Sequence, residues 1–190
     1  MKLKSTKIKI IAEIGVNHNG KVSNAKKLIA AARNAGADYV KFQIFDPDEM
    51  VTKSSLKAKY QTKSLGKSIS QYEMLKKYYL SFKEMKILYE FCKEKKINFL
   101  ASIFDIKSLN FLKKLNVDYI KLPSPEINNY FLLNALSKQK KKIIYSTGMA
   151  NFEEIKNAHN ILKKNENKIL PMYCVSSYPT SLREINFKNF

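Results

Sequence analysis

Two lysines occupy strand positions that a parallel sheet would bury. Polar and apolar residues alternate in Val40-Lys41-Phe42-Gln43 and in Tyr119-Ile120-Lys121-Leu122, so each lysine points away from the apolar side of its strand. Because the apolar side suits packing under helices, we expect both ammonium groups on the inner side of the sheet. A buried ammonium either loses its proton or requires anionic partners. The two lysines therefore predict a site for an anion.

Short polar side chains end the neighbouring predicted strands at the same height. Glu13 ends the first strand, Ser102 the third and Ser146 the fifth, while Ser124 follows the fourth. Two cations with several hydroxyl groups can bind phosphate or carboxylate through charge-assisted hydrogen bonds. A structural alternative is that Glu13 forms a buried ion pair with one of the two lysines.

The elements that position these residues alternate between short apolar runs and amphipathic helices. Such strand–helix–strand repeats predict a parallel sheet, either open or closed into a barrel. We predict an α/β fold, a (β/α)8 TIM barrel truncated to about six βα units, because the chain has 190 residues and a complete barrel usually has about 250. Residues 1–190 would then be the N-terminal part of a barrel domain. The predicted strands are Ile8–Ile14, Tyr39–Phe42, Asn98–Ser102, Tyr119–Leu122, Ile143–Ser146 and Ile169–Cys174.

The boundaries of several elements are also predictable. Ser81 and Asn151 each stand three residues before a glutamate, and Gly36 follows the first helix, which is typical of helix ends. Asp46–Tyr79 interrupts the alternation of strands and helices, and we predict an irregular lid or substrate loop there. Pro179–Phe190 predicts the beginning of a sixth helix.

The formal net charge of +19 raises nucleic acid as a partner. However, Arg33 and Arg183 are the only arginines, and the lysines are spread over many predicted elements without one continuous basic stripe. Recognition of nucleic acid usually relies on arginine forks and stacking platforms. We therefore interpret the lysines mainly as solvated helix faces, and nucleic acid is not the favoured partner.

Composition and cysteine usage point to a globular, reduced protein. Hydrophobic residues make up 45% of the chain and aromatic residues 12%, which argues against disorder. No run approaches the roughly 20 apolar residues of a membrane span, so no membrane partner is expected, and the first apolar stretch meets Glu13 too early for a secretory signal. Cys92 and Cys174 lie far apart without a C-x-x-C pattern. A cytoplasmic location is the simplest interpretation.

Six segments, in order and over nearly the whole chain, resemble the N-acetylneuraminate (sialic acid) synthase family, which includes legionaminic and pseudaminic acid synthases. One such segment would be a weak signal, whereas six in order are a strong one. The segments are Ile11-Ala-Glu-Ile-Gly-Val-Asn-His-Asn-Gly20, Asp38-Tyr-Val-Lys-Phe-Gln43, Ser102-Ile-Phe-Asp105, Lys121-Leu-Pro-Ser-Pro-Glu126 with Asn128-Asn-Tyr130, Ser146-Thr-Gly-Met149 and Cys174-Val-Ser-Ser-Tyr-Pro179.

The resemblance implies an enzyme that condenses phosphoenolpyruvate with an N-acyl hexosamine, such as N-acetylmannosamine, and releases phosphate and a nonulosonic acid. Catalytic roles would fall to Glu13, Lys41 and Lys121. The positions implied to hold the phosphate and carboxylate of phosphoenolpyruvate are Lys41, Ser102, Lys121, Ser124 and Ser146. Those implied to lie near the sugar, the reacting carbons or the same rim are Glu13, Gln43, Glu126, Ser176 and Tyr178.

The resemblance also implies a divalent metal, Mn2+ or Mg2+, held by two histidines on later strands, beyond Phe190. The full-length protein would be a homodimer with a C-terminal antifreeze-like domain that is absent from these residues. Of the two histidines present, we expect His18 to shape the rim and His159 to pack on a helix, so no metal ligands are predicted in this chain. We expect residues 1–190 alone to bind phosphoenolpyruvate weakly and to turn over little.

Two other functions stay open. A different phosphoenolpyruvate-dependent sugar acid synthase, making octulosonate or heptulosonate phosphates, would need a second anion site for its phosphorylated sugar, and no arginine pair is evident. The alternative from another class is a lysine-rich, non-catalytic module that binds nucleic acid or an acidic polymer. Such binding would survive physiological salt and would be unaffected by Lys41→Ala and Lys121→Ala.

Overall fold

A single sheet of six parallel strands forms the centre of the computed structural model, which describes residues 8–56, 70–164, 168–177 and 179–186. Neighbouring strands follow the chain order, with at least one helix in every connection. The predicted α/β fold of consecutive βα units is therefore confirmed. The strands are β1 (Ile11–Gly15), β2 (Tyr39–Ile44), β3 (Asn98–Ile103), β4 (Tyr119–Leu122), β5 (Lys142–Ser146) and β6 (Ile169–Met172). The helices are α1 (Val22–Asn34), α2 (Pro47–Met50), α3 (Gln71–Tyr78), α4 (Phe82–Glu94), α5 (Ile106–Lys113), α6 (Tyr130–Ser137) and α7 (Phe152–Lys163), with 3-10 turns at Ser124–Glu126 and Leu182–Glu184.

The predicted helix boundaries are confirmed at three places. At the start of α4, the Ser81 hydroxyl accepts a hydrogen bond from the Glu84 N–H, and the Glu84 carboxylate accepts one from the Ser81 N–H at 2.8 Å. Asn151 begins α7 with the same reciprocal pair. These contacts satisfy amides that a helix leaves without partners at its start. Gly36 follows α1 with φ +83°, a conformation that glycine adopts without strain.

Two separate apolar layers cover the two faces of the sheet. The larger layer lies between the sheet and the helices and includes the fully buried Val40, Phe42, Ile120 and Leu122. The smaller layer lies on the inner face, where Ile11 and Tyr119 pack against Tyr39, Leu100 and Ile144. Tyr39 and Tyr119 come two positions before the lysines on β2 and β4, and Leu100 and Ile144 come two positions before Ser102 and Ser146 on β3 and β5. These inner residues form an apolar floor beneath the predicted site.

Two predicted segments need correction. Asp46–Tyr79 is not irregular throughout, because its described parts contain α2 and α3. The helix α3 begins with a capping pair, Ser70 and Glu73, a spacing that was present in the sequence. The rest of the predicted lid, residues 57–69, lies outside the described residues. In the described part of Pro179–Phe190, a short 3-10 turn stands where an α-helix was predicted, since the Ser181 cap is followed by only three helical residues.

The limits of the first and last strands also differ from prediction. The strand β1 begins at Ile11 rather than Ile8, and β6 ends at Met172 rather than Cys174. Within the described ranges, β1 and β6 each have a strand neighbour on one side only, so the sheet is an incomplete barrel. No helix in the described part of the chain is long and apolar enough to cross a membrane.

Candidate functional site

The register of the sheet brings the predicted site residues to the carboxyl end of its inner face. Glu13 is the Cα partner of Lys41, and Gln43 is that of Ser102. Ser102 pairs in turn with Lys121 on the next strand. Because Cα partners on neighbouring strands point to the same face, these side chains line one continuous wall above the apolar floor.

Lys41 lies between a carboxylate and a hydroxyl group. Its Nζ is 2.5 Å from Glu13 Oε2 and donates to Ser102 Oγ at 2.9 Å. The side chain of Lys41 is 15% exposed and that of Glu13 is 50% exposed, so the ion pair lies at the open side of the site. The structural alternative considered from the sequence is thus partly present. It accounts for one lysine only, because no described carboxylate pairs with Lys121.

Lys121 is the buried cation of the site. Its Nζ donates to Ser146 Oγ at 2.5 Å and to the Leu122 carbonyl at 2.7 Å. Burial, and secondly the charge of Lys41, lower the pKa of Lys121 from 10.5 to about 8. Both effects disfavour the charged form. An anion bound between the two lysines would oppose both.

The groups around the two lysines retain unused protons. The hydroxyl oxygens of Ser102 and Ser146 accept from the lysines, so their own protons stay available to a guest. An ammonium has three protons, and Lys41 and Lys121 each use two in the contacts given above. In the described part of the chain, each of these four groups therefore has one further proton to donate. These donors, which line one wall of the site, suit a ligand with several negatively charged oxygens, namely a phosphate or a carboxylate.

Ser124 follows β4 and Ser176 follows β6, and both lie next to Gly148, which follows the strand between them, β5. Ser124 Oγ accepts from the Gly148 N–H at 3.2 Å, which joins the ends of β4 and β5. A Cβ at Gly148 would lie 2.6 Å from Ser176 Oγ and 2.8 Å from the Cys174 carbonyl oxygen. The rim therefore requires glycine at this position, because contacts this short exclude a side chain.

The remaining predicted site residues are less closely tied to the lysines. Gln43 is half-buried on the inner face, beside Ser102. Glu126 accepts from Asn129 at 2.8 Å, and burial raises the pKa of Glu126. No contact between described residues links Glu126 to the lysines. Tyr178 lies outside the described residues.

The two histidines do not form a metal site. His18 is fully buried, and its Nδ1 accepts from the Gly20 N–H at 3.1 Å within the turn after β1. Burial lowers the pKa of His18. His159 Nδ1 lies 3.1 Å from the Tyr145 hydroxyl. Across the described ranges, no group of three or more His, Cys, Asp or Glu could hold a metal ion. These residues therefore do not fit the divalent metal that the resemblance implies.

Two contacts at the rim were not predicted. Cys174 Sγ donates to Ser146 Oγ at 3.3 Å, which places a half-buried thiol beside the partner of Lys121. The buried Asp105 accepts from the Ser108 N–H at 2.6 Å and from the Asp46 N–H at 2.8 Å, so it fastens the loops after β2 and β3 to each other. Continuing the two-residue period past β6 would have indicated Cys174, whereas the partner of Asp105 left no signal in the sequence.

Known proteins with similar sequences match this chain along most of its length. The N,N'-diacetyllegionaminic acid synthase of Campylobacter jejuni is 43% identical over 182 residues, which cover 94% of this chain and 54% of that protein. The synthase of the same name from Legionella pneumophila is 41% identical over 184 residues, covering 94% of this chain and 52% of that protein. The chain therefore spans about half the length of these curated relatives.

A solved structure and a family model agree with these matches. The crystal structure of an N-acetylneuraminic acid (sialic acid) synthetase from Leptospira borgpetersenii, in complex with citrate, superposes with a TM-score of 0.82. It is 30% identical and covers 98% of this chain and 62% of that chain. A sequence model described as the NeuB family matches residues 28–190. The six parallel strands in chain order agree with this match. The chain belongs to the NeuB family.

Proposed function

We propose that this protein is a phosphoenolpyruvate-dependent nonulosonic acid synthase, which joins phosphoenolpyruvate to an N-acyl hexosamine and releases phosphate. The observation that carries the proposal is the wall formed by Lys41, Ser102, Lys121 and Ser146, whose contacts leave donors for an anion with several oxygens. Membership of the NeuB family supports the class of reaction.

Phosphoenolpyruvate fits this wall because it bears two anionic groups, a phosphate and a carboxylate. We place one group at each lysine, with the neighbouring serine hydroxyl as a further donor. The bound anion then offsets the repulsion between the two ammonium groups. Fixed donors of this kind also orient the guest before the reaction begins, which lowers the entropic part of the barrier.

The reaction forms a bond between the terminal methylene carbon of phosphoenolpyruvate and the aldehyde carbon of the sugar. The aldehyde oxygen takes up a proton, water adds to the carbon that bore the phosphate, and phosphate leaves. We place Glu13 and Gln43 on the sugar side, because Glu13 is half exposed and is oriented by its ion pair with Lys41. The implied metal would polarise the sugar aldehyde when bound, and the roles proposed for this chain's residues do not depend on it.

The sugar proposed for this site carries two N-acetyl groups. The two relatives that are 43% and 41% identical are named for N,N'-diacetyllegionaminic acid. Because phosphoenolpyruvate contains no nitrogen, both acetamido groups of such a product must come from the hexose. We therefore propose a di-N-acetylated hexose as the substrate, ahead of N-acetylmannosamine.

Calorimetric titration with phosphoenolpyruvate tests the anion site. Lys41→Ala and Lys121→Ala should each weaken binding about 10- to 100-fold, since a hydrogen bond to a charged group contributes about 1.5–3 kcal/mol. Lys156→Ala, at an exposed position of α7, serves as the matched control and should bind as the wild type does. Unchanged binding in both site variants would refute the placement of the substrate.

Phosphate release tests the reaction itself. The assay contains manganese, phosphoenolpyruvate and one of three sugars: N-acetylmannosamine, a di-N-acetylated hexose or a phosphorylated hexosamine. We expect the fastest release with the di-N-acetylated sugar, and little turnover by residues 1–190 compared with the full reading frame. If phosphoenolpyruvate binds but no N-acyl hexosamine causes release from the full reading frame, the synthase proposal fails while the anion site stands.

A further inference from the structure

The lysines that are scattered in the sequence converge at one end of the molecule. Every connection from a helix back to a strand carries an exposed cation, either in the connection or in the last turn of the helix before it. All these connections lie at the amino ends of the parallel strands, opposite the anion site. The expectation that no continuous basic surface exists is therefore corrected. We call this surface the basic end and define it by Arg33, Lys96, Lys114, Lys140 and Lys168.

Hydrogen bonds join neighbouring connections at two places in the basic end. Arg33 Nε donates to the Lys95 carbonyl at 3.2 Å, which joins the turns after α1 and α4. Lys141 Nζ donates to the Val117 carbonyl at 2.9 Å, which joins the turns before β4 and β5. Arg33 and the flanking Lys141 therefore reach across two of the gaps between connections, and all five defining residues are exposed.

The described carboxylates at this end are engaged with groups other than the defining cations. Asp38 pairs with Lys9 at 3.1 Å, and Asp118 accepts from the Tyr39 hydroxyl at 3.3 Å. Glu90 and Glu94 pair with Lys93 and Lys95 at 2.9 Å. In the described ranges, no carboxylate lies within ion-pair distance of a defining cation. Basic residues interact favourably with the carboxyl ends of helices, which explains in part why cations gather at this end. That interaction does not supply carboxylate partners for the five defining cations.

The chemistry of the basic end favours a lipid surface over a nucleic acid. Four of its five defining residues are lysines, which act as point charges without the planar fork that arginine uses to recognise phosphates and bases. Aromatic rings at this end are already covered, because Lys142 lies over Tyr119 and Lys95 over Phe91. The described residues of the basic end therefore offer no ring on which a base could stack.

Two apolar side chains project at the same end. Ile8 and Ile10, which immediately precede β1, are 83% and 59% exposed. The Ile10 carbonyl accepts from the Asp38 and Tyr39 amides, which fixes this segment beside the amino end of β2. Exposed apolar side chains within a basic surface are a combination found in proteins that bind at membrane interfaces.

We propose that the basic end binds the surface of an anionic membrane, with Ile8 and Ile10 inserted among the lipid headgroups. Peripheral binding of this kind needs no membrane-spanning helix. The orientation leaves the anion site, at the opposite end of the strands, open to solvent. The inference is independent of the proposed reaction.

Sedimentation with lipid vesicles tests the proposal. The protein should bind vesicles of phosphatidylcholine with about one third phosphatidylglycerol and should not bind phosphatidylcholine alone, with affinity falling as salt rises. The double variant Lys140→Glu and Lys168→Glu should weaken binding by about thirtyfold or more, since each basic residue near such a surface contributes about a factor of five. The matched control, Lys83→Glu with Lys86→Glu on α4, changes the net charge equally and should have a much smaller effect.

Two further measurements separate the competing explanations. Ile8→Ser should weaken vesicle binding severalfold without changing its salt dependence, because it removes apolar insertion and not charge. Duplex DNA should bind only at low salt. Equal losses in the test and control pairs, equal binding to neutral and anionic vesicles, or DNA binding that outlasts vesicle binding as salt rises would each overturn the proposal.

Discussion

Replacing Lys121 with methionine should stabilise the fold at neutral pH and at the same time weaken binding of phosphoenolpyruvate about 10- to 100-fold. Burial and the charge of Lys41 lower the pKa of Lys121 from 10.5 to about 8, which corresponds to about 3 kcal/mol of lost stability while the lysine is charged. Methionine removes this cost but forfeits the hydrogen bonds to Ser146 and Leu122, about 1 kcal/mol each. The expected net gain is about 1 kcal/mol at pH 7.

The pH dependence of this gain follows from the sign of the shift. Between about pH 8 and pH 10.5, the unfolded chain keeps the Lys121 proton and the folded protein has lost it. The unfolded state then binds more protons, so the free energy of unfolding of the wild type rises with pH. The advantage of the methionine variant should therefore shrink above about pH 8 and vanish near pH 9.

Urea unfolding at several pH values measures this difference directly. The titratable groups that act on Lys121 are Lys41, Glu13 and Cys174, so the same series on Lys41→Met reports how much of the effect comes from the neighbouring ammonium. Lys156→Met, at an exposed position, is the control and should show a difference from wild type that does not vary with pH. A Lys121→Met protein that is less stable than wild type by the same amount at every pH would refute the reasoning.

Three further outcomes are expected. Gly148→Ala should lower the free energy of unfolding by about 1–3 kcal/mol and weaken phosphoenolpyruvate binding, because the new Cβ would meet the Cys174 carbonyl oxygen at 2.8 Å; calorimetry and urea unfolding check both. Asp105→Ala should destabilise the fold by about 2–4 kcal/mol, since it removes the acceptor for the Asp46 and Ser108 amides; an unchanged urea midpoint would contradict this. N-ethylmaleimide should label Cys174 in the native protein and spare Cys92, which is fully buried and whose pKa burial raises to about 12. Mass spectrometry follows the labelling of Cys174, which phosphoenolpyruvate should slow.

The inner placement of the lysines could be predicted because strands have a strict period of two. Lys41 and Lys121 stand between apolar residues that are buried under the helices, so the lysine side chains point to the opposite, inner face. The structure has both lysines on that face. Ser102 and Ser146 were located by their positions at the ends of the third and fifth predicted strands. The choice of partners could not be predicted, since Ser146 lies two residues beyond Ile144, the Cα partner of Lys121 on the neighbouring strand, and such offsets depend on the stagger of the sheet.

Other features needed the three-dimensional structure. The carboxylate of Asp105 bonds a loop that is 59 residues away in the chain, and no local pattern encodes such a partner. The basic end was missed for a related reason, because Lys96, Lys114 and Lys140 lie on different elements and become neighbours only through the parallel topology. By contrast, α3 was missed despite a local signal, the Ser70 and Glu73 pair at its start.

The apolar floor of Tyr39, Leu100 and Ile144 acts as a partition inside the half-barrel. Its side chains turn apolar surface toward the site, so the donors for a bound anion come from the lysines and serines above the floor. Lys41 and Lys121 each stand two residues after the first residue of their strands, β2 and β4, which is about 7 Å along the strand and close to the screening distance in physiological salt. Solvated charges at the basic end are therefore weakened by screening before they act on the two lysines.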